Sequence, residues 1–291
     1  VLEEKNLPIA KGFTINSSDS LEVWESVFNA LQKPLAIKQT SGSHGDGIFL
    51  NIETLADFKT KVATIFSDFE LSDDGKALVE EMIQGKEYRI IATNEKVVAV
   101  MFRQPASVIG DGTLTIQELI TEKNKEPIRN LSQKLYPHIP INEEVIQTLK
   151  KQHMELSTVP TVNQVIQLRF HSNIMAGGDA YDVTDDIHPS VAEIAIKTVQ
   201  SIPGLPFSGI DFMTTDITKD QAFEQHAIIE VNANPEFDMH DIPMHGKTRG
   251  VTKEFLFLLF PELRENKPKA LKNRQKTDLI PTNNFSAITA V

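Results

Sequence analysis

The stretch His226-Ala-Ile-Ile-Glu230-Val-Asn232-Ala-Asn234-Pro235 is the most informative part of this chain. Successive side chains of a β-strand point to opposite faces, so we expect Glu230 and Asn232 to point the same way at a strand end. A second apolar run, Ser208-Gly209-Ile210-Asp211-Phe212-Met213, supplies another carboxylate. Carboxylate and amide oxygens suit Mg²⁺, which binds through a few carboxylates together with substrate phosphates. On spacing alone the pattern indicates either a metal-bound nucleotide or two buried strand ends with polar caps.

The composition indicates a globular protein, since 291 residues suffice for a large core or two lobes. The formal net charge of -11 argues against a nucleic-acid backbone or an anionic membrane as the main partner. Any phosphate site must therefore be a local basic patch. The sequence contains no cysteine, which excludes disulfides, thiolate metal sites and a cysteine nucleophile.

The chain begins Val1-Leu2-Glu3-Glu4-Lys5, with neither an initiator methionine nor a signal-peptide pattern. We therefore expect it to begin inside a longer protein, with a further N-terminal domain or partner, and a homo-oligomer stays open. No apolar run approaches the length of a membrane span, so a cytoplasmic location without a membrane partner is expected.

Apolar periodicity predicts an α+β protein. Helices are expected over 21–31 and 52–65, from Pro189 onward, and over 252–260. Extended runs are expected at 34–39, 77–83 and 165–170, around Ile210 and around Ile228, with a hairpin over 88–103 that turns near Asn94. From 121 to 161 the pattern is polar and partly helical, without a sharp motif.

A glycine-rich stretch follows the strand that contains Lys38. Gly42, Gly45 and Gly47 allow the backbone to bend so that its N–H groups can face phosphate oxygens. It is not a Walker A loop, because no Gly-Lys-Ser/Thr follows. Alone it is typical of a flexible surface loop, but its position after a buried strand favours a lid over a nucleotide.

Several motifs occur in a fixed order along the chain. Lys38 precedes Gly45-x-Gly47, and then come Val79-Glu80-Glu81-Met82-Ile83-Gln84-Gly85-Lys86-Glu87-Tyr88-Arg89, Asp211 and Glu230-x-Asn232. Finer stretches are Arg103-Gln-Pro-Ala-Ser-Val-Ile-Gly110-Asp111-Gly112, Ser172-Asn173-Ile-Met-Ala-Gly177-Gly178-Asp179 and Asn232-Ala-Asn-Pro235 with Met239-His240. Together they resemble the ATP-grasp superfamily, in particular the ATP-grasp domain of bifunctional glutamate-cysteine ligase/glutathione synthetases and of cyanophycin synthetases. The resemblance spans nearly Val1 to Leu263.

The resemblance implies an ATP-grasp fold, in which two α+β lobes grip ATP between them. We expect a lid lobe over 1–79, a metal and substrate lobe over 80–264 and a polar tail over 265–291. The implied activity is an ATP-dependent ligase that joins a carboxylate to an amine through an acyl phosphate. The implied cofactors are ATP and Mg²⁺, or Mn²⁺, and the implied partner is a small amino-acid or peptide substrate.

The resemblance also implies roles for single residues. Lys38, Gly45 and Gly47 would contact and cover the phosphates. The nucleotide base and ribose would meet Glu80, Glu81, Met82, Ile83 and Glu87. Asp211, Glu230 and Asn232 would hold the metal ions. Arg169 and Asn173 would lie near the transferred phosphoryl group and the acyl intermediate, and Arg103 would contact a substrate carboxylate.

Three functions stay open. A glutathione-synthetase type of ligase is the first expectation, and a cyanophycin-like or other amino-acid ligase is the alternative within the enzyme class. A non-catalytic ATP-binding module is the third, because Glu236 adds a negative charge beside the metal strand. A zinc site at His240 and His245 is not favoured, because their separation is not the helical spacing that brings two imidazoles onto one metal. We expect these two histidines to line a cleft or the surface.

Overall fold

The computed structural model describes residues 1–40, 47–68, 75–131 and 133–265. In chain order its elements are β1 (Gly12–Asn16), α1 (Leu21–Ala30), β2 (Leu35–Gln39), β3 (Ile48–Ile52), α2 (Leu55–Asp68), β4 (Lys76–Glu81), β5 (Lys86–Thr93), β6 (Val97–Gln104), β7 (Ser107–Ile109), α3 (Ile116–Lys123), α4 (Pro127–Leu131), α5 (Glu143–Lys151), β8 (Val165–Gln167), β9 (Asp179–Asp182), α6 (Pro189–Ser201), β10 (Phe207–Thr214), β11 (His226–Asn232), α7 (Asp238–Asp241), α8 (Val251–Leu259) and α9 (Glu262–Glu265). The α+β class is therefore confirmed. None of the helices in these ranges combines the length and the apolar character that a membrane span requires.

The first sheet has four antiparallel strands in the order β1-β4-β2-β3. Ile37 of β2 pairs in register with Val79 of β4, and both are fully buried against side chains of α1 and α2. Alternation along the same strands places Lys38 and Glu80 on the opposite face. The apolar spacing that predicted α1 and α2 is the spacing of their buried side chains.

The second sheet has five antiparallel strands in the order β11-β10-β5-β6-β9. The predicted hairpin is formed by β5 and β6. One face packs against α6, which begins with Pro189 at its first turn, and its core includes Ile90, Val100, Ile210 and Phe212. We call this the apolar face. The opposite face, here the polar face, carries the charged residues described below.

A smaller layer lies between β6 and β9 in the chain. The two-stranded sheet of β7 and β8 packs with α3 and α5 around Val108, Val145 and Ile166. Thr115 begins α3 with a capping box, and the Asn142 side chain caps α5. The stretch that carried no sharp sequence motif is thus partly helical, as expected.

Residues Val1–Thr252 form one compact unit, and a second unit begins at Lys253. The described part of the second unit consists of α8 from Lys253 onward and of α9. The lobe boundaries expected after residues 79 and 264 stay predictions. Both Val79 and Glu80 belong to β4 of the four-stranded sheet.

Candidate functional site

The polar face brings charged residues from neighbouring strands into register. Asp211 lies at the middle of β10, where it pairs with Arg89 of β5 on one side and with Glu230 of β11 on the other. Glu87 of β5 lies beside Arg103 of β6 on the same face. We call these five residues the polar-face cluster.

A β-bulge aligns Glu230 with Asp211. Phe212 pairs with Ile228, whereas Asp211 pairs with Glu230, so Ile229 is an extra residue in β11. Phe212 and Ile228 both belong to the apolar core, and Val231 packs against that core from the far side of the bulge. The bulge therefore lets β11 present Ile228 to one face and Glu230 to the other, although simple alternation would put both on the same face.

Ion pairs link the cluster into a chain. Asp211 Oδ1 lies 2.8 Å from Arg89 Nε and 2.9 Å from Arg103 Nη2. The Arg103 guanidinium also contacts the Glu87 carboxylate, which accepts a hydrogen bond from the Ser172 hydroxyl. Asp211 and Glu87 are thus paired with the two guanidinium groups, and with Glu230 the cluster holds three carboxylates against two guanidinium groups, a formal excess of one negative charge.

Asn232 completes the expected trio with Asp211 and Glu230. In the amide orientation that satisfies both neighbours, its nitrogen donates to Glu230 Oε1 at 2.9 Å and its oxygen accepts from Arg89 Nη1 at 3.1 Å. The expectation that Glu230 and Asn232 point the same way is confirmed. Their role as metal ligands stays a prediction.

The oxygens of this trio have the chemistry that a hard cation requires. Asp211 is buried, and its Oδ1 accepts no well-directed hydrogen bond despite the two nearby guanidinium groups. Within the described ranges no three histidine, aspartate or glutamate side chains are grouped to hold a metal by themselves. Two carboxylates with an amide are the partial set that Mg²⁺ takes when substrate phosphates complete its shell. The residues present therefore fit magnesium bound together with a nucleotide.

The residues expected to contact the nucleotide lie at the other sheet. Lys38 Nζ is 2.7 Å from Glu80 Oε2, on the face of the four-stranded sheet that its helices leave open. Glu81 points the other way, where it accepts from the Gln32 backbone N–H at 3.0 Å. Gly47 adopts a left-handed φ of 70° and its carbonyl accepts from Gln39 N. Gly45 and most of the glycine-rich stretch that was predicted to cover the nucleotide lie outside the described residues.

Met82 and Ile83 follow β4 and are half-buried, and the Met82 N–H donates to Pro34 O at 3.0 Å. This segment joins the first sheet to β5 of the second. Glu87, expected to bind ribose, instead has its carboxylate in contact with Arg103 and Ser172. Whether it also meets a nucleotide stays a prediction.

Arg169 and Asn173 have partners within the smaller layer and the loop after it. The Arg169 guanidinium contacts the Glu144 carboxylate of α5, and burial lowers its pKa. The Asn173 side chain accepts from Met175 N at 2.9 Å and so caps the short turn Ile174–Ala176. Neither contact is with the polar-face cluster, and the catalytic roles of both residues stay predictions.

A buried arginine fixes the Gly177-Gly178 turn that follows Asn173. The wholly buried Arg129 donates to Pro137 O at 2.9 Å and to Gly177 O at 3.2 Å, and it contacts the Asp179 carboxylate. Lys123 Nζ lies 2.5 Å from the same carboxylate. A buried charge needs such compensation, so this network holds the loop that begins at Ser172 in one conformation.

Three residues near the site had no functional role predicted from the sequence. Arg89 and Ser172 contact the cluster directly. His240 on α7 is buried rather than lining a loop surface, and burial, reinforced by the positive charge of Arg89, lowers its pKa to about 3. The signal for Arg89 was available, because it stands two residues after Glu87 in one strand and therefore on the same face.

Comparisons with known proteins identify similar sequences. The glutathione biosynthesis bifunctional protein of Clostridium perfringens is 34% identical over 261 residues, which are 89% of this chain and 33% of that protein. The cyanophycin synthetase of Synechocystis is 36% identical over 262 residues, which are 90% of this chain and 29% of that protein. The chain thus spans about a third of the length of the curated relatives it matches. No family model matches it.

Among solved structures, the crystal structure of a bifunctional glutathione synthetase from Pasteurella multocida matches with a TM-score of 0.63 and 28% identity. The match covers 90% of this chain and 35% of that one. The two sheets, the ordered motifs and these similarities lead to one assignment: the chain belongs to the ATP-grasp superfamily and is similar to the ATP-grasp domain of bifunctional glutathione biosynthesis proteins and cyanophycin synthetases.

Proposed function

We propose that this chain is an ATP-dependent carboxylate-amine ligase of the glutathione-synthetase type. The observation that carries the proposal is the polar-face cluster, in which Asp211 and Glu230 face each other while Arg89 and Arg103 lie on the same surface. Carboxylates for a metal next to guanidinium groups for phosphate are the parts that phosphoryl transfer needs. The similarity to the Clostridium perfringens protein supports the same class of reaction.

The proposed reaction has two steps. A carboxylate oxygen of the first substrate attacks the γ-phosphorus of ATP, the bond to the β-phosphate oxygen breaks, and ADP leaves an acyl phosphate behind. The amine nitrogen of the second substrate then attacks the acyl carbon, phosphate leaves with the carbon–oxygen electron pair, and the nitrogen loses a proton. Positioning and charge neutralisation are the main tasks of the protein in such a reaction.

The polar-face cluster would perform these tasks. Asp211, Glu230 and Asn232 would hold magnesium, which supplies charge neutralisation for the phosphates when bound. Arg103 contacts both Glu87 and Asp211, and its positive charge would orient the transferring phosphoryl group or the substrate carboxylate. Ser172 and the turn fixed by Arg129 would form the substrate side of the site.

Lys38 would act from the other sheet. Its ammonium is paired with Glu80 on the face that helices leave open, so it is held in one place rather than extended into solvent. In that position it would contact the nucleotide phosphates, with Met82 and Ile83 beside the base.

A cyanophycin-like ligase is the second candidate. The observation that favours it is the similarity to the Synechocystis cyanophycin synthetase, which is slightly more identical in sequence than the glutathione biosynthesis protein. Both candidates use the same first step, so they differ in the pair of substrates rather than in the role of the cluster.

The test is a substrate panel read by ADP release and by mass spectrometry. γ-Glutamylcysteine with glycine is compared with mixtures that contain aspartate, arginine and lysine. We expect the correct carboxylate to raise ADP release at least about tenfold, with one amide formed per ADP once the amine is added. Asp211→Asn, which keeps the side-chain size, should remove the stimulation.

Each outcome separates the candidates. Amide formation from γ-glutamylcysteine and glycine supports the glutathione type, and formation from the other mixtures alone supports the cyanophycin-like type. Tight ATP binding without carboxylate-stimulated ADP release across the panel would reject both ligases in favour of a non-catalytic binding module.

A further inference from the structure

A second candidate site lies on the reverse side of the five-stranded sheet. A surface cavity of about 410 Å³ opens there, and Lys86 and Tyr88 of β5 are part of its lining. These two residues alternate along the strand with Glu87 and Arg89, which belong to the polar-face cluster on the opposite face. The cavity is therefore distinct from the proposed ligase site, although both are built on β5.

The floor of the cavity is aromatic. The rings of Tyr88 and Phe102 lie 5.5 Å apart between centroids, and Lys86 Nζ lies 5.4 Å from the Phe102 centroid. Tyr88 is buried, which raises the pKa of its phenol to about 12, so the hydroxyl keeps its proton at neutral pH. In the described part of the chain this hydroxyl has no hydrogen-bonding partner, and it stays available to a ligand.

Two opposite charges line the cavity without meeting. Within the described ranges neither the Lys86 ammonium nor the Asp186 carboxylate forms an ion pair, so they are too far apart to pair directly. A third charge, Asp216, is already engaged by the Thr218 hydroxyl at 2.7 Å and by Lys219 Nζ at 3.2 Å. The hydrogen bonds from Thr218 hold the pKa of Asp216 at about 2, so it adds a fixed negative charge.

The wall that carries Asp216 is held rigidly. Gln221 is buried, and its side-chain amide donates to Asp216 O at 3.0 Å and to Lys219 O at 2.8 Å. Its oxygen accepts from the Thr214 hydroxyl at 2.7 Å. Gly85, with φ of 141°, approaches Thr214 so closely that a Cβ would lie 2.3 Å from the Thr214 carbonyl oxygen. This approach sets Lys86 beside the wall, and such preformed cavities are typical of ligand sites.

We propose that this cavity binds a free amino acid with a short apolar side chain. The carboxylate of the ligand would meet Lys86, and its ammonium would meet Asp186. The side chain would pack against Val183 and Ile217. A molecule that carries both charges a few bonds apart satisfies both unpaired groups, whereas a simple cation or anion leaves one of them without a partner.

The test uses L-valine and its two halves as calorimetric probes. Isobutylamine lacks the carboxylate of valine, and isovalerate lacks its ammonium group. We expect saturable binding of L-valine and at least about tenfold weaker binding of either half, because each loses one charge-assisted contact. Equal binding of valine and one half, or no saturable binding of valine, would overturn the proposal.

Variants locate the binding. Lys86→Met and Asp186→Asn should each weaken valine binding about tenfold, whereas Lys197→Met, a matched exposed lysine on α6, should leave it unchanged. Arg103→Met reports on the polar-face cluster and should also leave it unchanged. Thermal unfolding of each variant checks that it folds. If Arg103→Met abolished binding while Lys86→Met and Asp186→Asn did not, valine would be bound at the cluster and the proposal would fail. The ligase assay does not depend on this result.

Discussion

The two faces of the five-stranded sheet are built from the same strands but have opposite energetic roles. Phe212 is fully buried on the apolar face, and the preceding residue, Asp211, is buried on the polar face among guanidinium groups. Burial of an apolar side chain such as Phe212 contributes about 1.5–3 kcal/mol to stability. Burial of paired charges contributes little, because desolvation offsets their attraction. One face therefore holds the sheet together, while the other is arranged for a ligand.

The largest effect should come from the polar face. Glu230→Gln removes a negative charge beside the transferring phosphoryl group, and we expect turnover to fall about 10²–10³-fold while the fold stays intact. ADP release and circular dichroism measure the two quantities. Glu193→Gln, on the exposed side of α6, is the matched control. Unchanged ATP consumption in Glu230→Gln would contradict the metal assignment.

Substitutions on the apolar face should lower the stability of the protein. Phe212→Ala leaves a cavity against α6, and we expect it to lower the free energy of unfolding by about 3–5 kcal/mol in denaturant titrations. Asp211→Asn, one residue away, should change that free energy by no more than about 1 kcal/mol, because it keeps the side-chain size and removes one negative charge from a cluster that holds three carboxylates and two guanidinium groups. A larger loss for Asp211→Asn than for Phe212→Ala would reverse the proposed division between the faces.

A smaller effect is expected at the four-stranded sheet. Lys38→Ala should weaken the binding of a non-hydrolysable ATP analogue with Mg²⁺ about tenfold, because one charge-assisted contact to phosphate is lost. Calorimetry compares it with Lys197→Ala, which removes an exposed lysine from α6. If both variants bound the ATP analogue with equal affinity, the ion pair of Lys38 with Glu80 would contribute only to the structure of the four-stranded sheet.

The smallest effect concerns acid stability at the edge of the polar face. Burial raises the pKa of Asp182, but hydrogen bonds led by that from Arg249 outweigh it and leave the pKa lowered; Arg249 also lowers the pKa of Asp185. A carboxylate whose pKa is lower in the folded than in the unfolded protein stabilises the fold at pH values above its pKa in the unfolded chain. This contribution to stability is lost as the pH falls through the pKa in the folded protein. Arg249→Met should therefore be less stable than the parent protein at pH 7. The difference between their free energies of unfolding should become smaller below about pH 4. Lys247→Met, which touches Asp185 from a more exposed position, should show a weaker trend in the same unfolding titrations. If the difference in the free energy of unfolding did not change with pH, Asp182 and Asp185 would be excluded as its cause.

Sequence patterns predicted on which face of a sheet a side chain lies better than they predicted which residue it contacts. Alternation placed Glu230 and Asn232 on one face, and the same rule applied from Glu87 would have found Arg89. No pattern along the chain reveals that Asp211 stands opposite Glu230, because register depends on pairing between distant segments. The helices on the four-stranded sheet and the hairpin of β5 and β6 were predictable because their apolar periodicity is local.

Arg169 illustrates why the partner of a residue was missed. Its contact, Glu144, lies in the stretch where no sharp motif was recognised. A weaker signal existed there, since Asn142 precedes two acidic residues and α5 ends in Lys150 and Lys151. An N-cap, early acids and late bases mark a helix even when its apolar face is narrow. That signal predicts α5, but not which arginine it will contact.

The extra residue Ile229 confines the tolerance of β11 to length changes to one position. Deleting Ile229 would join Ile228 directly to Glu230, so Phe212 would still pair with Ile228 and Asp211 with Glu230, and the later side chains would keep their faces. Inserting one residue between Glu230 and Val231 would instead exchange the faces of the residues that follow, so that Val231 would enter the charged surface and Asn232 would turn toward α6. The same insertion in the turn near Asn94 would merely lengthen a hairpin. Insertions among related chains should therefore accumulate at that turn and be absent from the segment between Glu230 and Asn232.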